Sequence, residues 1–86
     1  DKVPGKIKLR YGIGDMGAQA LTALSSLITL DLSENEIGNN GARALTALTG
    51  LSKLDLGWNN IGDDGAKALA KLRNLTSLNL EDNNSG

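Results

Sequence analysis

No cysteine, histidine or phenylalanine occurs among the 86 residues, and each absence closes a route to function. Without Cys or His there is no disulfide framework, no thiolate nucleophile, no imidazole base and no zinc site of the usual ligand types. The redox compartment is therefore unmarked. Tyr11 and Trp58 are the only aromatic residues, so any core must be aliphatic and thin, built from Leu and Ala. No apolar run approaches the roughly 20 residues of a membrane span, and no signal-peptide pattern opens a chain that starts at Asp1, so the expectation is a soluble fragment. Nine basic against ten acidic residues leave a net charge of −1, which creates no field to draw in nucleic acid or an anionic membrane. A chain this short buries only roughly 60% of its unfolded surface, so its stability is narrow.

What the chain does have is repetition. Residues 27–50 and 51–74 follow each other directly and agree at twelve of twenty-four positions. Self-similarity at a fixed period means one supersecondary unit stacked on itself, each copy burying its apolar face against the next. Leu27, Leu30 and Leu32 recur as Leu51, Leu54 and Leu56 and again as Leu75, Leu78 and Leu80. The last two of each set alternate with polar residues, the signature of a short strand with one buried face. Then come Ile37, Gly38, Gly41, Ala42, Ala44, Leu45 and Leu48. Positions 41, 44, 45 and 48 match i, i+3, i+4, i+7, the buried stripe of an amphipathic helix, and Gly65, Ala68, Leu69 and Leu72 repeat it. Each unit therefore reads as strand, turn, short helix and return.

Asp15, Asp63 and Asp64 stand at the starts of helices, where carboxylates cap free N–H groups and meet the positive end of the dipole. Asn35, Asn59 and Asn83 recur every 24 residues just after the strand. An amide with two donors and an acceptor can bridge backbone groups of adjacent turns, so these three are read as a structural ladder. Strands stack about 4.8 Å apart while helices need roughly 10 Å, so the array must bend with its parallel sheet inside. The predicted shape is a shallow arc, with Gly and Ala letting the helices lie close to the sheet.

The pattern L-x-x-L-x-L-x-x-N-x-I-G-x-x-G-A-x-A-L, complete twice, resembles the leucine-rich repeats, specifically the 24-residue GALA type related to the ribonuclease-inhibitor class. That resemblance, strongest from Leu27 to Leu80, implies an α/β leucine-rich-repeat solenoid of about three and a half repeats. A parallel β-sheet would line its concave face and short helices its convex face. It further implies a non-enzymatic scaffold for protein or peptide partners, without cofactor. In bacterial GALA proteins such repeats accompany an F-box and are thought to present substrates to a ubiquitin ligase. Related repeats form sensing arms in animal immune receptors. These 86 residues show neither an F-box nor a nucleotide-binding loop, so neither biology is carried over.

Residues 3–26 read as a degenerate first unit, in which Ile7 and Leu9 stand as strand leucines and Ile13, Gly14, Gly17, Ala18, Ala20, Leu21 and Leu24 fall in register. Its loop is one residue short, with Tyr11 where the Asn ladder should begin. Residues 75–86 make a half unit, with Ser85 at the Ile position. Lys2, Lys6 and Lys8 can solvate the first edge, but nothing comparable covers Leu75, Leu78 and Leu80. That open stacking edge implies either continuation into a longer array, the preferred reading, or end-to-end self-association.

Residues pointing away from the leucines form columns: Lys8, Asp31, Asp55, Asn79 in one, and Lys6, Thr29, Lys53, Ser77 in another. Toward the strand ends come Arg10, Ser33, Gly57, Glu81 and then Tyr11, Glu34, Trp58, Asp82, so the face runs from basic to acidic. Trp58 is the leading contact residue, because exposed Trp is enriched where binding energy concentrates, and Gly57 is expected to leave room beside it. Partner binding is therefore assigned to Trp58, Tyr11, Glu34, Asp31, Asp55, Lys53, Lys8 and Asp82. Asp31 and Asp55, about 5 Å apart on adjacent strands, have the spacing of a retaining glycosidase pair, but they belong to the repeating L-D-L motif on a wet surface and are read as non-catalytic. Asp82, Asn84 and Gly86 lack the bidentate acid and glycine spacing of a calcium loop. Among nine asparagines, one sequon (Asn74-Leu75-Thr76) is expected by chance. Gln19, Arg43 and Lys67, with Lys71 and Arg73 nearby, read as a solvated outer helix face.

Overall fold

The computed structural model describes residues 5–83. The sequence expectations placed on Lys2, Asn84, Ser85 and Gly86 lie outside the described residues. Seven elements alternate along the chain: β1 (Lys6–Lys8), α1 (Gly14–Leu21), β2 (Thr29–Asp31), α2 (Asn39–Leu45), β3 (Lys53–Asp55), α3 (Asp63–Leu69) and β4 (Ser77–Asn79). The strands form one parallel sheet in sequence order, with Ile7, Leu30, Leu54 and Leu78 in a row across it. Each crossover carries a helix, and neighbouring helices pack side by side on the same layer.

Strand alternation sends the leucines inward and their neighbours outward. Leu27, Leu30, Leu32, Leu51, Leu54 and Leu56 are all within 2% of complete burial, together with Ile37, Leu45 and Leu48. The helices are shorter than their apolar pattern: α2 stops at Leu45, yet Leu48 stays buried. The reason lies in the backbone, where Thr46, Ala47 and Leu48 each donate to the carbonyl three residues back and so continue the turn in a tighter winding. The buried helix face also includes Ala42 and Ala18, fully enclosed where adjacent helices meet.

The caps differ from the sequence expectation. Neither Asp63 nor Asp64 caps α3; both lie inside its first turn, the N-cap position is Gly62, and no side chain of the unit itself caps any of the three helices. Capping is instead done by the preceding unit. Asp15 Oδ1 accepts from Gly38 N at 2.7 Å and Gly41 N at 3.0 Å, serving α2 rather than its own helix. Asn39 Oδ1 does the same for α3, accepting from Gly62 N at 2.8 Å and Gly65 N at 2.9 Å. The helices lie so close that the side chain projecting from one first turn reaches the orphan N–H groups of the next before any side chain of that unit can.

The short first loop has a visible consequence. Leu32 N and Glu34 N pair with Asp55 O and Gly57 O, but in the first unit Leu9 N pairs with Asp31 O and Tyr11 N slips one residue further, to Glu34 O. Ile13 then falls in helical conformation, so Gly17 N bonds to Ile13 O while Gly14 N bonds to Asn35 O. In the first helix one N-terminal donor, Gly17 N, is thus met from within the unit and another, Gly14 N, by the following unit.

Candidate functional site

The sheet face away from the helices is open, and a depression of about 530 Å³ crosses it over Lys8, Asp31, Lys53, Asp55, Ser77 and Asn79. Register places Lys8, Asp31, Asp55 and Asn79 in one row and Lys6, Thr29, Lys53 and Ser77 in another. Lys8 and Lys53 are exposed; Asp31, Asp55 and Asn79 are half-buried.

The half-buried acids are occupied by local structure. Asp31 Oδ1 accepts from Ser33 N at 3.0 Å and Ser33 Oγ at 2.9 Å, and Asp55 Oδ1 accepts from Gly57 N at 3.0 Å. Asn79 Oδ1 accepts from Glu81 N at 2.9 Å in the same way. Each side chain turns back on the backbone two residues on, which closes the strand and starts the loop. The second Asp31 oxygen stands 3.8 Å from Lys8 Nζ, an exposed pairing of little energetic weight. Since an amide oxygen does this work at Asn79, Asp55→Asn is expected to change the unfolding free energy by less than about 0.5 kcal/mol in a urea titration.

Beyond the sheet, Asn35, Asn59 and Asn83 bridge neighbouring units. Asn59 Oδ1 accepts from Asn35 N at 3.0 Å and Ile37 N at 2.9 Å, and its Nδ2 donates to Leu32 O, Leu56 O and Gly57 O. Asn83 accepts from Ile61 N and donates to Leu56 O, Leu80 O and Glu81 O. Asn35 is fully buried.

The rim row consists of Tyr11, Glu34, Trp58 and Asp82, with φ of 68°, 62°, 55° and 57°. All four sit in the left-handed region, which costs a residue with a Cβ about 1–2 kcal/mol and is avoided by bulky side chains. Geometry imposes it: Glu34 N and Trp58 N are held to the carbonyls of the next unit just where the chain leaves the sheet. The side chains are thrown outward, Tyr11 71% and Trp58 63% exposed. Trp58 borders an open hollow with Glu34, Glu36, Asn59 and Asn60. Gly57, however, leaves no room beside it. Gly57 is buried, and a Cβ there would meet Asn79 Nδ2 and Asp55 Oδ1 at 3.3 Å, because the turned-back side chains fill the space.

On the helical side, Arg43, Thr46, Asp64, Lys67, Ala68 and Lys71 line a shallow groove, with Arg43 3.9 Å from Asp64 and bonded to Asn40. The sequon side chains join units: Asn74 Nδ2 donates to Thr49 O at 2.9 Å and Thr76 Oγ1 to Ser52 O at 3.1 Å. Among the described residues no group of three or more acidic side chains is arranged to hold a metal ion, and no helix is long and apolar enough to cross a membrane.

Sequence reasoning missed Asn39 and the true role of Asp15. The signal was present, since Asp15, Asn39 and Asp63 are all acceptors two residues after the recurring Ile.

No curated protein sequence matches the chain. A family model described as leucine rich repeat matches residues 10–61, more than half of the chain. The matched stretch holds β2, β3 and the two helices between β1 and β3, with the core leucines from Leu27 to Leu56. Stacked strand-and-helix units, leucines inward and a parallel sheet in sequence order place the chain in the leucine-rich repeat family.

Proposed function

We propose that this chain is a non-enzymatic binding module that holds a protein or peptide partner across the open face of its sheet, with Trp58 at the rim as the dominant contact. Leucine-rich-repeat domains generally mediate protein–protein interaction and are typically not enzymes. On this reading the units 3–26, 27–50, 51–74 and 75–86 form a short solenoid of GALA type whose concave side is the sheet face. Lys8, Asp31, Lys53 and Asp55 form its floor and Tyr11, Glu34, Trp58 and Asp82 its rim.

The observation that carries the proposal is Trp58 itself. The backbone holds that position at φ 55°, where Gly or Asn would be least strained, and the indole is 63% exposed, so it gains little burial to offset the strain. A large aromatic that costs stability and faces solvent beside an open hollow is suited to contact with a partner. The acids of the sheet support binding over catalysis, since their turn-closing bonds commit one oxygen of each.

The test is selection of binding peptides from a random library displayed against the intact chain. Trp58→Ala is expected to weaken the selected binders roughly 30-fold, corresponding to about 2 kcal/mol, and Asp55→Lys to weaken them as well. Binders that tolerate both substitutions, with circular dichroism unchanged, would move the binding surface elsewhere.

A further inference from the structure

In the hollow beside Trp58, the indole and one carboxylate have no task inside the fold. The hollow measures about 530 Å³ and is bounded by Glu34, Glu36, Trp58, Asn59 and Asn60. The Asn59 amide is committed to the ladder, its Oδ1 accepting from two N–H groups and its Nδ2 donating to three carbonyls. Glu34 is half-buried and stands 3.9 Å from Arg10, a loose pairing at the surface. Glu36 is exposed, and its carboxylate forms no ion pair among the described residues. Charge around the indole is of one sign. Segments 33–37, 57–61 and 81–83 lie side by side, joined by Glu34 N to Gly57 O and Trp58 N to Glu81 O. Together they hold Glu34, Glu36, Glu81 and Asp82 and no Lys or Arg. Arg10, reaching Glu34 from the first unit, offsets one of these four carboxylates.

Carboxylates beside an open aromatic face call for a cation, and the chemistry of the hollow selects which. A divalent metal ion takes oxygen ligands and has no use for an indole, and no group of three or more acidic side chains among the described residues could hold one. A lysine ammonium is compact and strongly hydrated, so it gains little from an exposed ring. A guanidinium is planar and weakly hydrated; its face stacks on an indole while the N–H groups along its edge donate to carboxylates. We propose that the hollow beside Trp58 takes an arginine side chain of the partner, stacked on the indole and donating to Glu36 and Glu34. Arg10 yields its share of Glu34 at little cost, because an exposed pair of that length is weak. The inference rests on the reading of the sheet face and rim as a binding surface, and names the group that the rim recognises.

Trp58 is the only tryptophan, so its fluorescence reports on the hollow directly. Titrating the full chain with a tetra-arginine peptide should change that emission saturably, with tetra-lysine about ten-fold weaker and tetra-glutamate without effect. Glu36→Gln should weaken the arginine peptide roughly five-fold at unchanged circular dichroism, and Glu34→Gln by less, since Arg10 already shares that carboxylate. Equal binding of the arginine and lysine peptides, or arginine binding indifferent to Glu36→Gln, would overturn the assignment. So would a saturable response to a neutral oligosaccharide such as maltotetraose with none to the arginine peptide, which would make the indole a platform for sugar rings. The two readings fail separately. Library-selected binders that depend on Trp58 but carry no arginine and tolerate Glu36→Gln would leave the rim as a binding surface and remove arginine from it. Binders indifferent to Trp58→Ala, with no response of the emission to the arginine peptide, would overturn both.

Discussion

Asn35→Ala should lower the unfolding free energy by about 3 kcal/mol, a large share of the roughly 4–13 kcal/mol available to a domain of this size. Asn35 is fully buried, and its amide serves three backbone groups at once. Nδ2 donates to Leu9 O at 2.7 Å and Ser33 O at 3.1 Å, while Oδ1 accepts from Ile13 N at 3.3 Å. Truncation to Ala leaves the Ser33 carbonyl orphaned in the interior and removes the partner of the part-buried Leu9 and Ile13 groups, and each orphaned buried group costs about 1–3 kcal/mol before relaxation. Asn83→Ala is the control. Asn83 makes equivalent bonds at the outer side of the sheet, only half-buried, where solvent can replace the amide, so about 1 kcal/mol is expected. Urea titrations of both variants at unchanged slope decide the matter: equal losses would mean that burial of the ladder is irrelevant to its strength.

Gly41→Ala should destabilise the protein by about 2 kcal/mol, opposite in sign to the usual gain of about 1 kcal/mol when alanine replaces glycine inside a helix. A Cβ at Gly41 would lie 2.6 Å from Asp15 Oδ1, 2.6 Å from Ile37 Cγ2 and 3.2 Å from Asp15 Cα. None of these neighbours can give way cheaply. Ile37 is fully buried, and the Asp15 oxygen is the one that caps α2 through Gly38 N and Gly41 N, so moving it removes the cap as well. Overpacking at about 1–3 kcal/mol plus a lost cap at about 1 exceeds the propensity gain. Gly65→Ala should behave alike, with Asn39 Oδ1 and Ile61 Cγ2 at 2.7 Å, whereas Gly50→Ala, exposed and 3.8 Å from Leu27 O, should be near neutral. A higher melting temperature for Gly41→Ala would show that the helices can separate without cost, contrary to the close approach described above.

The same contacts explain how much was legible beforehand. The leucines of the strands could be placed because alternation and a 24-residue period are local patterns, visible without knowing what lies opposite. Trp58 could be placed at the rim for the same reason, by counting from Leu56. Its positive φ could not, since that depends on which carbonyl of the next unit receives its N–H. Gly57 was misjudged on equal grounds: a glycine implies space only until a neighbouring strand supplies the side chain that fills it, here Asn79, 22 residues away.

Residue order alone was enough for the architecture: a small, cysteine-free stack of leucine-lined strand-and-helix units, with a polar sheet face and an Asn after β2, β3 and β4. Apolar pattern and period leave few alternatives to that arrangement. Which group satisfies which depends on how the units pack. Asp15 lies in α1 but caps α2, and Asn39 lies in α2 but caps α3, because helices packed this closely bring the acceptor of one unit within 3.0 Å of the donors of the next. Those pairings join residues 23 and 26 apart, and no local pattern of helix starts contains them. They exist once the stack fixes the register.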